Sequence, residues 1–453
     1  MFDDTIAAIA TPLGEGGLAV IRVSGKDALA VSDRCFEPVG SRSKKPSTAE
    51  SHTIHYGKIV RAGQQVDEVL CAVMRSPRTY TREDVVEITC HGGILSTKSV
   101  LDTLLESGAR LAEPGEFTRR AFLNGRLDLA QAEAVADLIH SRTELALSAA
   151  NEQLAGKLSQ RINQLRDEFM ATLAHIEAHI DFPDEDITPD TKEKLEGRLE
   201  HGVAFMDALL RTANEGQILR CGIRAAIIGR PNVGKSSLLN QLLGHDRAIV
   251  SPIAGTTRDT IEETANVRGI PVVFIDTAGL RVAKDDIESE GIRRSRESLA
   301  RAELILHVLD GSEPITSEDE LLLNEFADKK RILVRNKVDL PVRLLSDGPA
   351  FVDVCCITGN GIEQLKDAIK SLVWSGAVNA EMSQVTINSR HQDALRRARE
   401  AAQRALDVLR GDSSLELVAA DLRESVHAIG EIVGKTTTED LLDSIFSQFC
   451  LGK

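Results

Sequence analysis

The stretch AAIIGRPNVGKSSLLNQLL, residues 225–243, decides how the centre of the chain folds. Ala225 to Ile228 reads as a short apolar strand, Ser237 to Leu243 reads as a helix, and Gly229-Arg230-Pro231-Asn232-Val233-Gly234-Lys235-Ser236 between them fits G-x-x-x-x-G-K-S. Strand, glycine loop and helix in that order make a phosphate cradle. The glycines let backbone N–H groups wrap an anion at a helix N-terminus, Lys235 neutralises β- and γ-phosphate charge, and the Ser236 hydroxyl can ligate Mg²⁺. A plain glycine-rich turn is the competing reading.

Two further motifs remove that alternative. Asp276-Thr277-Ala278-Gly279 follows the apolar Val272 to Ile275, which puts a carboxylate in the outer shell of the metal and a glycine amide near the γ-phosphate. Asn336-Lys337-Val338-Asp339 follows Ile332 to Val334, and Asp339 can accept from the N1–H and the exocyclic amine of guanine, a donor pair that adenine lacks. Three motifs in this order resemble the translation-factor-type GTPase domain, so the nucleotide is expected to be GTP. The last base-binding element of that family is usually an S-A-x turn, whereas this chain reads Cys355-Cys356-Ile357 before Thr358-Gly359. Leu280 stands where Ras-type proteins carry the glutamine that positions the attacking water, so another group must orient that water. Ser251-Pro252-Ile253-Ala254-Gly255-Thr256-Thr257-Arg258-Asp259 supplies Thr257 as a γ-phosphate-sensing Mg²⁺ ligand, and Asn232 can coordinate a monovalent cation. Nucleotide contacts are therefore expected from Asn232, Val233, Gly234, Lys235, Ser236 and Ser237, and from Ser251, Pro252, Ile253, Ala254, Gly255, Thr256 and Thr257. The remaining ones are expected from Asp276, Thr277, Ala278 and Gly279, from Asn336, Lys337 and Asp339, and from Cys355, Cys356 and Ile357.

Outward from this core the texture changes. Apolar runs at Leu304 to Leu309 and Ile332 to Val334, separated by helical segments, extend a βα alternation over about 216–379. Before it, residues 121–215 are rich in Ala, Leu, Glu and Gln at helical spacing. After it, 380–453 returns to that texture, with helices expected over Asp393 to Leu409 and Leu415 to Val433. The acidic Asp181 to Asp186 reads as a turn between helices. Residues 1–120 alternate β-branched runs (Leu18 to Val23, Val85 to Cys90) with glycine turns and a helix near Ser96 to Glu106. The expected fold class is multidomain α/β plus α: an N-terminal α/β domain, then a helical domain with a Ras-like P-loop domain inserted into it.

Length and composition agree: 453 residues make two to four domains at roughly 100 to 200 residues each. Hydrophobic residues at 42% are enough for real cores. Aromatics at 3% disfavour a platform on which many bases stack, and the net charge of −15 argues against coating nucleic acid by bulk electrostatics. The helical stretches 121–215 and 380–453 carry −9 and −3 of that charge. Seven scattered cysteines with no C-x-x-C spell neither a disulfide framework nor a structural zinc site. Asp3 and Asp4 stand where a signal peptide needs positive charge, and no apolar run approaches roughly 18 residues, so a soluble, cytoplasmic protein is expected.

TPLGEGGLAVIRVSG (11–25), EDVVEITCHGG (83–93), EPGEFTRRAFLNGRLDLAQAEAVADLI (113–139), AGTTRD (254–259) and the terminal FCLGK resemble the MnmE (TrmE) family of tRNA uridine-modification GTPases, in the same order along the whole chain. The resemblance implies that residues 1–120 bind a tetrahydrofolate such as 5-formyltetrahydrofolate and mediate homodimerisation. It implies an FAD-dependent MnmG-type partner in a heterotetramer, and an aminomethyl or carboxymethylaminomethyl group installed at C5 of the wobble uridine of certain tRNAs. By the same resemblance, folate contacts fall on Arg22, Glu87, Arg126 and Lys453, with Arg126 where the family often has lysine. Mg²⁺ ligands fall on Ser236 and Thr257, and a K⁺ site on Asn232, Ser251, Ile253 and Thr256. Glu288 corresponds to the acidic residue that orients the hydrolytic water through a second water. The GTPase domains are expected to dimerise across their nucleotides.

Each assignment has a plainer rival. Glu288 sits in a charged run that composition alone reads as a solvated face. Cys450 reads either as a buried cysteine on the last helix near Phe446 and Phe449 or as a thiol facing the folate pocket and taking part in the chemistry. Arg22 can be an end-of-strand surface charge. Glu87 is more telling, because a carboxylate inside an apolar strand is costly without a partner. His91 reads as structural. Two other functions compete: a ribosome- or RNA-associated GTP switch whose N-terminal domain only docks, and a stand-alone folate-dependent methyltransferase, which leaves the GTPase domain unexplained.

Overall fold

The computed structural model describes residues 3–181, 192–244, 263–275, 301–344, 350–374, 387–411 and 414–453. Ser251 to Thr257, Asp276 to Gly279, Leu280 and Glu288 lie outside the described residues, as does the acidic turn after Asp181. The chain divides into two compact units: 1–136 with 159–166 and 427–453, and 137–158 with 167–426.

The first unit is built on a seven-stranded sheet. Its strands are β1 (Ile6–Ile9), β2 (Gly16–Ser24), β3 (Phe36–Pro38), β4 (Thr53–Arg61), β5 (Gln64–Met74), β6 (Val85–Gly92) and β7 (Arg110–Leu111), in the order β3-β4-β5-β6-β2-β1-β7. All neighbours are antiparallel except β1 and β7. Period-two alternation decides the faces. Ile21, Val23, Val86, Ile88, Cys90, Val69, Cys71 and Val73 turn inward onto helices α1 (Ala28–Cys35) and α2 (Ile94–Glu106), through Val31, Cys35, Val100 and Leu104. The intervening positions leave Arg22 and Glu87 opposite one another on the other face.

Helix α3 (Glu116–Leu123) starts at Gly115, which adopts φ +70 and whose Cβ would lie 2.5 Å from the Phe446 carbonyl oxygen. Only glycine fits both conditions. The chain end returns to this unit. Helix Glu439–Phe446, capped by the Thr438 hydroxyl, leads into a tail in which the Phe446 and Phe449 rings lie 5.5 Å apart. Gly452, at φ +85, packs its backbone on β1, where a Cβ would meet Ile9 O at 2.4 Å. Arg120 on α3 is wholly buried and bonds Asp4, Glu83 and Glu116 through its two terminal nitrogens, with Arg110 joining Asp4 and Glu116, so that the buried charge has carboxylate partners.

Helix α4 (Leu129–His140) begins the helical run. There follow α5 (Glu144–Leu154), α6 (Lys157–Asp181), α7 (Lys192–Arg211) and α8 (Ala213–Cys221), of which residues 159–166 of α6 belong to the first unit and the rest to the second. Helix Ser389–Arg410 packs along α7; it buries an alanine-rich stripe (Ala394, Ala398, Ala401, Ala405), while α7 buries Leu199, Val203 and Met206. Arg399 pairs with Asp207 across them at 3.1 Å. Sequence from both sides of the α/β segment thus makes one helical layer, so the α/β segment is an insertion.

That segment holds β8 (Ile223–Ile228), α9 (Lys235–Leu243), β9 (Glu263–Val267), β10 (Ile270–Phe274), β11 (Leu304–Asp310), β12 (Arg331–Asn336) and β13 (Phe351–Asp353), in the sheet order β13-β12-β11-β8-β10-β9. Every pairing is parallel except β9 with β10. β11 is buried along its whole length, as a central parallel strand must be. Strand order reverses beside β8, so the β8–α9 loop opens at the switch point of the sheet, where such folds bind ligands. Among the described residues no helix is long and apolar enough to cross a membrane.

Candidate functional site

The β8–α9 loop is shaped by residues that the phosphate motif demands. Gly229 has φ +143, and a Cβ there would sit 2.2 Å from Val308 O; Gly234 has φ +102, and its Cβ would strike the Asn336 amide nitrogen at 2.2 Å. Asn232 takes φ +65, while Val233 anchors the loop in the core. Lys235 Nζ donates to the Gly229 and Arg230 carbonyls of the loop at 2.9 and 2.7 Å. Burial holds its pKa below the ordinary lysine value, a shift that a bound anion would oppose. Ser236 and Ser237 open α9.

Asn336 ends β12 between the phosphate loop and the base-recognition turn. It is buried, its amide donates to Val233 O at 2.8 Å, and its Oδ1 accepts from Cys356 N at 3.2 Å, tying the phosphate loop to the base-recognition turn. Gln241 on α9 strengthens the same tie by donating to Cys356 O at 2.7 Å. Lys337, at φ +63, bonds Asp310 Oδ2 at 2.6 Å. Burial works to raise the Asp310 pKa, but Lys337 and Ser312 outweigh it and hold the carboxylate below the usual range. Asp339 is exposed in the turn beyond β12, where it accepts a hydrogen bond from Cys355 Sγ at 3.2 Å. Cys355 and Cys356 are buried and Ile357 is 84% exposed, an apolar side chain beside the base position. Burial pushes the Cys356 thiol up to about 11, so it stays protonated. Among the described residues no group of three or more His, Cys, Asp or Glu converges as a metal site, and of the expected metal ligands Asn232 and Ser236 are the ones described.

The first unit gathers the other four expected residues. Arg22 Nε donates to Glu87 Oε1 at 2.8 Å and Nη1 to Gly452 O at 3.3 Å. The Arg22 guanidinium lies 5.5 Å from the Tyr80 ring centroid and 5.6 Å from that of Phe117, and Arg126 covers Tyr80 at 4.8 Å while donating to its carbonyl at 2.9 Å. Burial, then the Arg22 charge, hold the Lys453 ammonium below its ordinary value, with Glu87 opposing them. Arg22 is therefore an interior-strand residue with partners rather than an end-of-strand surface charge. An open cleft of about 460 Å³ lies beside them, lined by residues that include Met74, Arg78, Tyr80, Arg82 and Arg126. The cationic, carboxylate and aromatic groups present suit a flat heterocycle with paired N–H donors and an anionic tail. Cys450 is exposed and lies beyond the last helix, so the reading of it as a buried helical cysteine does not hold. His91 donates through Nδ1 to the Asp67 carboxylate at 2.6 Å and leaves its ring outside.

Tyr80, Gln241 and Asp310 were not among the expected site residues. Asp310 carried a faint signal, an acidic residue ending a parallel strand. Tyr80 and Gln241 carried none.

A mostly parallel sheet with a G-x-x-x-x-G-K-S loop at its switch point, followed by Asn336-Lys337-Val338-Asp339 after β12, defines a P-loop protein of the GTPase class. The model described as "MnmE helical domain" matches residues 129–450, and that described as "GTP-binding protein TrmE N-terminus" matches 5–126. A Bacillus velezensis protein named tRNA modification GTPase MnmE is 46% identical over 460 residues, covering 99% of this chain and 100% of the relative. One of the same name from Geobacillus thermodenitrificans is 48% identical over 461 residues, covering 99% of each. A solved structure of an Aquifex aeolicus Era variant bound to GDP.AlF4- is 27% identical, covers 39% of this chain and 66% of that chain, and has a TM-score of 0.25. The chain belongs to the MnmE family of tRNA modification GTPases.

Proposed function

We propose that this chain hydrolyses GTP to drive conformational change in a cytoplasmic tRNA-modifying complex. With an FAD-dependent MnmG-type partner it forms the aminomethyl or carboxymethylaminomethyl group at C5 of the wobble uridine of certain tRNAs, the one-carbon unit coming from a folate. Residues 1–120 bind the folate and form the homodimer, 121–215 and 380–453 are the helical domain, and 216–379 is the GTPase domain.

Lys235 and the loop amides hold the phosphates, Asp339 reads guanine, and Ser236 with Thr257 would hold Mg²⁺, which neutralises phosphate charge when bound. Asn232, Ser251, Ile253 and Thr256 would hold K⁺, which supplies positive charge where an arginine finger otherwise would. Glu288 orients the hydrolytic water. Arg22, Glu87, Arg126 and Lys453 bind and orient the folate beside Cys450.

The observation that carries this reading is that one chain has two separately built sites. One is the guanine cradle clamped through Asn336. The other is the Arg22–Glu87 pair with the chain end and Arg126 around Tyr80. Nucleoside mass spectrometry of tRNA from cells lacking the protein tests it: the modified wobble uridine disappears. Its persistence would sink the reading, and GTP turnover equal in potassium and sodium at matched ionic strength would sink the cation assignment.

A further inference from the structure

The segment 75–84, which leads from β5 into β6, is laced down by side chains and carries two guanidinium groups to the cleft beside Tyr80. Ser76 Oγ donates to Arg82 O at 2.8 Å, Thr79 Oγ1 to Glu83 O at 2.7 Å, and Asn124 Nδ2 to Thr81 O at 2.7 Å. Arg82 takes φ +59, a left-handed conformation that a long side chain keeps only where its surroundings impose it. The acids of the segment are engaged elsewhere: Glu83 accepts from Ser24 and Arg120, and Asp84 from Ser76 N. Among the described residues, no carboxylate pairs with Arg78, Arg82 or Arg126; Arg82 donates to Asn124 O at 2.9 Å and Arg126 to Tyr80 O. All three arginines are exposed, and all three line one open cleft of about 460 Å³, with the Tyr80 ring under Arg126. Three guanidiniums without counter-charges around one cleft suit a ligand with several anionic groups rather than one.

Resting on the folate reading of Arg22, Glu87, Arg126 and Lys453, we infer that Arg78 and Arg82 extend that site into a subsite for a poly-γ-glutamate tail, so that the ligand is a polyglutamylated tetrahydrofolate rather than the monoglutamate. Each γ-linked glutamate adds one α-carboxylate, which the planar fork of an arginine accepts through two hydrogen bonds. The cleft opens to the surface, so a tail of any length can leave it. RNA phosphates carry the same charge, but the net charge of −15 works against a long polyanion more than against a short tail.

Calorimetry on the full chain compares 5-formyltetrahydrofolate carrying one glutamate with the same folate carrying five, for the parent and for the double variant Arg78→Ala, Arg82→Ala. The parent is expected to bind the pentaglutamate about tenfold more tightly, the effect of two charge-assisted bonds discounted for their exposure, and to lose most of that gain at about 0.5 M salt. The double variant is expected to bind both folates alike, at the parent's affinity for the monoglutamate. Equal affinities in the parent overturn the inference and leave the folate reading standing. A double variant weakened for both folates by the same factor assigns the two arginines to the shape of the cleft and overturns it as well. A gain that the double variant keeps, while its tRNA binding in filter assays falls, overturns it in favour of RNA phosphates. A parent that binds neither folate overturns the folate reading beneath it.

Discussion

Asn336→Ala is the most exacting perturbation of the nucleotide site, because this side chain holds two parts of it together. The asparagine is 3% exposed, and its removal strands Val233 O, which now accepts at 2.8 Å, and Cys356 N, which now donates at 3.2 Å. Leaving a buried polar group unpaired costs about 1–3 kcal/mol, so two of them bring a loss of about 3 kcal/mol once the weaker, longer bond is counted at the low end. Trp374 is the only tryptophan of the chain and packs against the core of this same α/β segment, so its fluorescence follows the unfolding of that segment. With a urea slope of roughly 2.5 kcal/mol/M, the midpoint falls by about 1 M. Nucleotide affinity falls with it, since the phosphate loop and the base turn lose their common anchor. Asn336→Asp keeps the acceptor for Cys356 N, loses the donor to Val233 O and buries a charge, so it is at least as destabilising. A midpoint within about 0.2 M of the parent in Asn336→Ala, with GDP affinity retained, would refute the clamp.

His307 on β11 is fully buried, with neither ring nitrogen hydrogen-bonded, and burial, with Arg331 adding to it and Asp319 opposing, holds its pKa down at about 4 from 6.5. A depressed folded pKa means stability that is present above pH 6.5 and lost as pH falls from there through 4, at most about 3 kcal/mol at 1.36 kcal/mol per unit. Urea midpoints read by Trp374 across that window are expected to fall, and His307→Leu to flatten the fall; parallel profiles would exclude His307 as its source. Gly452→Ala forces a Cβ to 2.4 Å from Ile9 O at φ +85, so the last residues detach and become substrates for carboxypeptidase. Trimming at the parent rate would count against the tail being seated on β1. Tyr80→Leu keeps apolar volume but removes the ring under Arg22 and Arg126, at about 0.5–1 kcal/mol for each cation–π contact. Affinity for 5-formyltetrahydrofolate is expected to drop about tenfold by calorimetry, and an unchanged value would detach Tyr80 from that site.

What the sequence made legible is what local physics controls. The apolar run before Gly229 and the amphipathic run after Lys235 are set by neighbours a few residues away, and both elements form where that pattern puts them. Alternation set the two strand segments, but that Glu87 stands opposite Arg22 depends on the register of β2 with β6, 65 residues apart, which only the structure shows. Contacts between distant residues escaped. Nothing in Glu116-Phe117-Thr118-Arg119-Arg120 tells which arginine is wholly buried, since that depends on Asp4 and Glu83 arriving from the segments that lead into β1 and β6. Gln241 reads as one more polar residue on a helix until the turn at Cys356 is brought to it across 115 residues.

The chain end carries this argument furthest. Cys450 lies four positions from the terminus and follows two phenylalanines, a context that local reasoning reads as a buried helix end. The helix stops at Phe446 because the tail has other partners: Gly115 N donates to Cys450 O, Phe117 N to Lys453 O, and Arg22 to Gly452 O, 430 residues distant. Those three backbone oxygens hold the tail flat along β1 and α3, which leaves the Cys450 side chain outside and brings the Lys453 ammonium within the field of Arg22 and Glu87. A cation drawn toward another cation, with burial already lowering its pKa, is an arrangement at odds with stability alone. An anion bound between Arg22 and Lys453 would relieve it, and on the folate reading proposed above the ligand would supply that anion.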